Sequence, residues 1–149
     1  LNLKIKQKVF VHRDFHVSNM MFYKKKIALI DSQDAVLGNP AYDLASLIDD
    51  VRIKTSNSFK SNILKVFLSK FKYKNESQFI NDFEILSVLR NLKIIGIFTR
   101  LAKRDKKRKY LKLIPYAWKL IDNRIKSNTN FHDLKNFLQK NPRIKKYEN

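Results

Sequence analysis

Residues 9–22 read VFVHRDFHVSNMMF and residues 27–35 read IALIDSQDA. Val9, Phe10 and Val11 form a short β-branched and aromatic run that stops at His12, the pattern of a strand delivering a loop. Met20–Tyr23 and Ile27–Ile30 are two further apolar runs, and Lys24, Lys25 and Lys26 separate them, which predicts a β-hairpin with a polar turn. The second arm ends at Asp31. Residues 32–40 contain Gly38 and Pro40 and read as a loop.

Four polar residues sit at the ends of these elements: His12, Asp14, Asn19 and Asp31. Their types suit phosphoryl transfer, in which a carboxylate accepts the proton of an attacking hydroxyl and divalent ions neutralise phosphate oxygens. Asp14, in a loop after a strand, is the candidate general base. Asn19 supplies a carbonyl oxygen and Asp31 an anionic oxygen, both hard donors of the kind Mg²⁺ takes. His12 is the candidate organiser of the loop, with its ring bonded to backbone carbonyls. His12 and His16 are four residues apart, but the preceding strand breaks the helical geometry that a zinc pair would need.

From Ala41 the apolar period lengthens from two to about 3.6. Leu44, Leu47, Ile48 and Val51 fall on one helical face. Phe59, Ile63, Val66, Phe67 and Phe71 make a second stripe, and Phe79, Phe83, Leu86, Leu89, Ile94 and Leu101 a long third one. After the charged run KRDKKRK, residues 110–125 read as a helix whose start Pro115 can shift. Residues 131–138 give a last short helix. The expected fold class is α+β: mainly helical, with a small hairpin and strand set carrying the catalytic loop. Trp118, Phe98 and Tyr110 lie in apolar stripes and are expected in the core. The adjacent Asp49 and Asp50 read as a solvated helix face.

The chain has 149 residues, of which 44% are apolar, enough for one substantial core and a single expected domain over 1–149. It has no cysteine, which fits a reducing compartment. No apolar run approaches the roughly 18 residues that span a bilayer, so no membrane partner is expected and the cytoplasm is the expected location. The formal charge of +19 is unevenly spread: residues 1–50 carry seven Lys/Arg against six Asp/Glu, and residues 51–149 carry 25 against seven. A nucleic-acid-binding module is the alternative that this excess raises, but it lies outside the motif region and reads as a solvated basic face, so a nucleic-acid partner is not expected.

The pattern H-x-D-x-x-x-x-N followed by I-D resembles the catalytic segment of the aminoglycoside phosphotransferase and choline kinase superfamily, relatives of the protein kinases. Within it, IDSQDAVLGNPAYDLASLIDD and LKIIGIFTRLAKRDKKRKYLKLIP are similar to segments of the bacterial N-acetylmuramate/N-acetylglucosamine kinases. The resemblance covers residues 9 to 121 and implies a protein-kinase-like C-terminal lobe. It implies Asp14 as base, Asn19 and Asp31 as Mg²⁺ ligands, Asp43 as a buried brace of the catalytic loop, and ATP and an amino sugar as substrates. Asp34, Arg100 and Arg104 are the candidate substrate contacts. Ser32 departs from the family, in which an aromatic residue commonly follows the metal aspartate. An aminoglycoside or choline-type acceptor is the alternative enzyme reading, and a pseudokinase scaffold the alternative without catalysis.

Only eight residues precede the first motif strand, and the two glycines, Gly38 and Gly96, cannot make a Gly-rich phosphate-covering loop. The nucleotide-binding lobe is therefore expected to be absent from these residues, and the chain alone is expected to be catalytically silent.

Overall fold

A computed structural model describes residues 2–71, 73, 75–126 and 128–145. The chain divides into two compact units, Asn2–Leu86 and Ser87–Asn149, and one long helix is continuous through the division.

In the unit Asn2–Leu86, β1 (Val9–Val11) delivers the chain into the loop that begins at His12. A 3-10 turn (Val17–Asn19) follows, then the antiparallel hairpin of β2 (Met20–Tyr23) and β3 (Lys26–Leu29), with Met20 opposite Leu29 and Tyr23 opposite Lys26. The hairpin loop is two residues long. Lys24 and Lys25 both adopt positive φ, 46° and 61°, as a tight hairpin turn matched to strand twist requires.

Residues 32–40 are not simply a loop. Val36–Gly38 forms β4, paired antiparallel with β1 in the register Val9↔Gly38 and Val11↔Val36. Three residues are too short a run to show period two, and their partner lies 27 residues upstream, so local pattern could not reveal the pairing. The outer faces of both small sheets are apolar and exposed, with Phe10 opposite Leu37 and Phe22 opposite Ile27.

The three helices that begin in this unit each start at a polar side chain. Ala41 donates to Asn39 Oδ1 (2.9 Å) at the start of α1 (Ala41–Ile48), whose first turn carries Asp43, the sign of charge that a helix N-terminus favours. Phe59 donates to Ser56 Oγ (3.2 Å) at the start of α2 (Asn57–Phe71), and Gln78 to Asn75 Oδ1 (3.1 Å) at the start of α3 (Glu76–Arg104). Val51 is buried as expected, but it lies beyond the end of α1 rather than on its face.

Ala41, Leu44, Ala45 and Ile48 of α1 pack with Leu68 of α2 and Phe79, Phe83 and Leu86 of α3 to form the core of this unit. Each fully buried large side chain contributes about 1.5–3 kcal/mol. Phe67 stacks on Phe79 with ring centroids 5.4 Å apart, and Tyr73 lies 4.5 Å from Phe79. Burial raises the Tyr73 phenol above its ordinary value.

The α2 stripe is rotated from its expected setting. Phe59, Val66 and Phe71 are exposed, and the buried residues are Leu68 and Lys60. Lys60 turns inward because its ammonium lies 2.9 Å from Asp49 Oδ1, with both side chains almost wholly buried. Asp49 and Asp50 therefore do not form a solvated face.

In the unit Ser87–Asn149, α3 continues to Arg104, and Lys103 and Arg104 in its last turn suit the negative end of the helix. A 3-10 stretch (Arg108–Leu113) leads into α4 (Ile114–Ile125), with Pro115 in its first turn, where a missing N–H costs nothing. A further 3-10 turn precedes α5 (His132–Lys140). Phe98, Ile114, Trp118, Ile121, Phe131 and Leu138 are buried. Phe98 stacks on Tyr110 at 5.1 Å.

The architecture is thus α+β, with a small strand set carrying the loop and helices supplying the bulk. Among the described residues, no helix is long and apolar enough to cross a membrane.

Candidate active site

The loop after β1 is held by a single carboxylate. Asp43, in the first turn of α1, accepts from the backbone N–H of His12 at 2.6 Å and of Arg13 at 3.0 Å, one on each oxygen. Charge-assisted bonds to an anion are roughly twice as strong as neutral ones. The paired bonds fix the loop where its backbone is least comfortable, since Arg13 has φ 71°.

His12 is 2% exposed, and its Nε2 lies 3.0 Å from the carbonyl oxygen of Ile30, the residue before Asp31. A buried ring thus ties the loop to the end of the hairpin. Ile30 N–H in turn donates to the Asn19 carbonyl at 3.1 Å. Asp31 follows at φ 69°, a second left-handed residue held between these bonds.

Asn19 is buried. Its Nδ2 donates to the Asp14 carbonyl at 3.0 Å and stands 3.5 Å from Asp31 Oδ2. The Asp14 carbonyl also accepts from His16 N–H at 3.0 Å, so the backbone of Asp14 is fixed twice. Asp14 itself is half-buried, and its carboxylate takes no part in these bonds. Asp31 is exposed, and its Oδ1 accepts from Gln33 Nε2.

Divalent-ion chemistry can be tested against this donor set. The Asn19 amide is anchored through its nitrogen, which leaves its Oδ1 outside the bonds to Asp14 and Asp31. The Asp31 carboxylate is within reach of the same amide. The 3.5 Å approach of Asn19 Nδ2 to Asp31 Oδ2 sets the amide beside the carboxylate, and their oxygens are the hard donors that Mg²⁺ takes while keeping several waters. Among the described residues no group of three or more His, Cys, Asp or Glu side chains could hold a metal, so the donor set is an amide and a carboxylate.

His12, Asp14, Asn19, Asp31 and Asp43 are thus brought together within one unit. Asp34 is exposed and is joined to the loop through its backbone, where its carbonyl accepts from Arg13 Nη1 at 3.3 Å. Arg100 and Arg104 belong to the other unit and are exposed. Arg104 donates to both oxygens of Asp105, at 2.7 and 3.1 Å, and this bond holds the Asp105 carboxyl below its ordinary range and raises the guanidinium. Two cavities of about 290 Å³, bordered by residues that include Ile125, Lys126 and Lys135, contain none of the motif residues.

Two supporting residues were not singled out from the sequence. Asn39 caps α1, and Asp82 of α3 is fully buried with its carboxylate bonded to Asn39 Nδ2 at 2.7 Å. Both had signals: Asn-Pro ahead of an amphipathic helix marks an N-terminus, and Asp82 stands on the apolar stripe between Phe79 and Phe83.

The sequence model of the phosphotransferase enzyme family matches residues 2–75. The N-acetylmuramate/N-acetylglucosamine kinase of Caulobacter vibrioides is 34% identical over 119 residues, covering 76% of this chain and 33% of that protein. The protein of the same name from Neisseria meningitidis serogroup B is 38% identical over 114 residues, covering 72% and 34%. The chain thus spans about one third of the length of the curated relatives it matches. Over residues 2–75, which hold the strand set and the loop of the candidate site, the chain matches the phosphotransferase enzyme family.

Proposed function

We propose that the protein carrying this chain is an ATP-dependent kinase that transfers the γ-phosphoryl group to a hydroxyl of an amino sugar, N-acetylmuramate or N-acetylglucosamine, at the anomeric position, in the cytoplasmic recycling of cell-wall sugars. The observation that carries the reading is the 3.5 Å approach of Asn19 and Asp31 beside Asp14, on a loop whose two amides share the Asp43 carboxylate. The choice of sugar is supported by the names of the relatives.

In this reading the Asp14 carboxylate accepts the proton of the sugar hydroxyl as its oxygen attacks the γ-phosphorus. The new P–O bond forms, the bond to the bridging oxygen breaks, and ADP leaves with the electron pair. Asn19 and Asp31 would hold Mg²⁺, which when bound would neutralise charge on the phosphate oxygens. His12 keeps Asp31 in register with the loop, and Asp43 keeps Asp14 at the mouth of the site. Asp34, tied to Arg13, is a further proposed contact for sugar or metal.

The 149 residues are proposed to be silent by themselves, the phosphate-covering loop coming from elsewhere in the protein. An aminoglycoside acceptor is less suited, because residues 87–149 carry 18 Lys/Arg against four Asp/Glu, a field that repels a polycation.

The test is ADP release by the full-length protein with N-acetylmuramate, N-acetylglucosamine, choline and an aminoglycoside offered separately. Turnover confined to the amino sugars is the expected result. Turnover with choline or the aminoglycoside alone overturns the acceptor, and no turnover with any of the four overturns the kinase reading.

A further inference from the structure

Asp82 occupies a position that a helix core would fill with an apolar side chain. It lies on α3 between Phe79 and Phe83, both wholly buried, and is itself 0% exposed. A carboxylate there is costly unless fully bonded. It is bonded four times: from the backbone N–H of Lys4 (2.7 Å) and Ile5 (2.9 Å), from Asn39 Nδ2 (2.7 Å), and from its neighbour Asn81 (3.2 Å).

Three of those donors lie outside α3, and both routes leading from them end at the catalytic loop. Lys4 and Ile5 run on into β1 and so to His12. Asn39 accepts from Ala41 N–H through its side chain (2.9 Å) and from Tyr42 N–H through its backbone (3.1 Å), which sets the first turn of α1. That turn carries Asp43, which holds His12 and Arg13.

We infer that Asp82, acting through Asn39, is a positioning residue for phosphoryl transfer: it fixes the two segments that aim Asp14, without touching a substrate. This rests on the reading of Asp14 as the base. A core role alone would spread the effect of losing Asp82 over the whole unit. A positioning role concentrates it at the loop.

The experiment uses the full-length protein with Asn39→Ala, Asp82→Asn and the double swap Asp82→Asn/Asn39→Asp. Amide hydrogen exchange is followed at His12 and Arg13, with the buried Leu68 of α2, in the core of the same unit, as internal reference. Asn39→Ala and Asp82→Asn are expected to speed exchange at the loop by roughly tenfold while Leu68 is unchanged. Both are expected to lower kcat for the amino sugar with KM for the sugar within about threefold. The swap restores a side-chain bond between the two positions and is expected to recover part of the loop protection. Unchanged protection at His12 and Arg13 in both single variants overturns the inference, whatever the assay shows. A wild type without turnover, but with the loop effect present, overturns the kinase reading alone.

Discussion

Asp43 has no part in the proposed chemistry, yet one carboxylate holds two consecutive amides of the loop that presents Asp14. Asparagine in its place would turn an amide nitrogen toward one of those N–H groups, leaving a donor facing a donor. Asp43→Asn is expected to destabilise the protein by about 2 kcal/mol in urea unfolding, the loss typical of a charged hydrogen bond, and to lower kcat further than stability alone explains. The residues proposed for the chemistry were legible in the sequence as a cluster because they are close together along the chain. His12, Asp14 and Asn19 span eight positions, and a single hairpin brings Asp31 back to them. Asp82 was not legible as a support, because its meaning depends on Lys4, Ile5 and Asn39, which are far away along the chain.

Among the elements, β1 and the β2–β3 hairpin follow local pattern directly, and the departures are instructive. The turn at Lys24 and Lys25 puts two side chains in the left-handed region, where Asn-Gly is favoured and other residues lose about 1 kcal/mol. Replacing the pair by Asn-Gly is expected to raise Tm by a few degrees in calorimetry, with the catalytic loop unaltered. Helix α2 was legible as an element but not in its rotation, since apolar periodicity gives no weight to a buried lysine. In the observed setting Lys60 pairs with Asp49 while Leu64 and Leu68 pack on the core. Removing one partner from a buried pair leaves the other's charge poorly compensated, so Lys60→Ala is expected to cost about 3 kcal/mol in urea unfolding, and Lys60→Met, which fills the volume of the stem but leaves Asp49 in the same state, to recover only the packing part of that loss. The strand β4 was missed for the opposite reason: three residues carry no period, and only pairing with β1 makes them a strand.

At the scale of the whole molecule, the motif and the excess charge separate. The unit Asn2–Leu86 contains every residue of the catalytic loop and its braces, and the unit Ser87–Asn149 carries most of the positive charge. The fold class was readable because the helices announce themselves by their apolar period. The division of α3 between two units was not, because a continuous apolar stripe looks the same on either side of it. In the proposed reaction Asp14 is the proton acceptor in transfer of a phosphoryl group to a sugar hydroxyl. General bases of this kind contribute typically 10²–10⁴-fold to a rate. The most direct measurement is kcat for amino-sugar phosphorylation by the full-length protein and its Asp14→Asn variant, with sugar phosphate followed by phosphorus NMR. If Asp14 is the proton acceptor, kcat falls about a thousandfold with ATP binding retained. Sugar phosphate formed at an undiminished rate by Asp14→Asn would contradict that role.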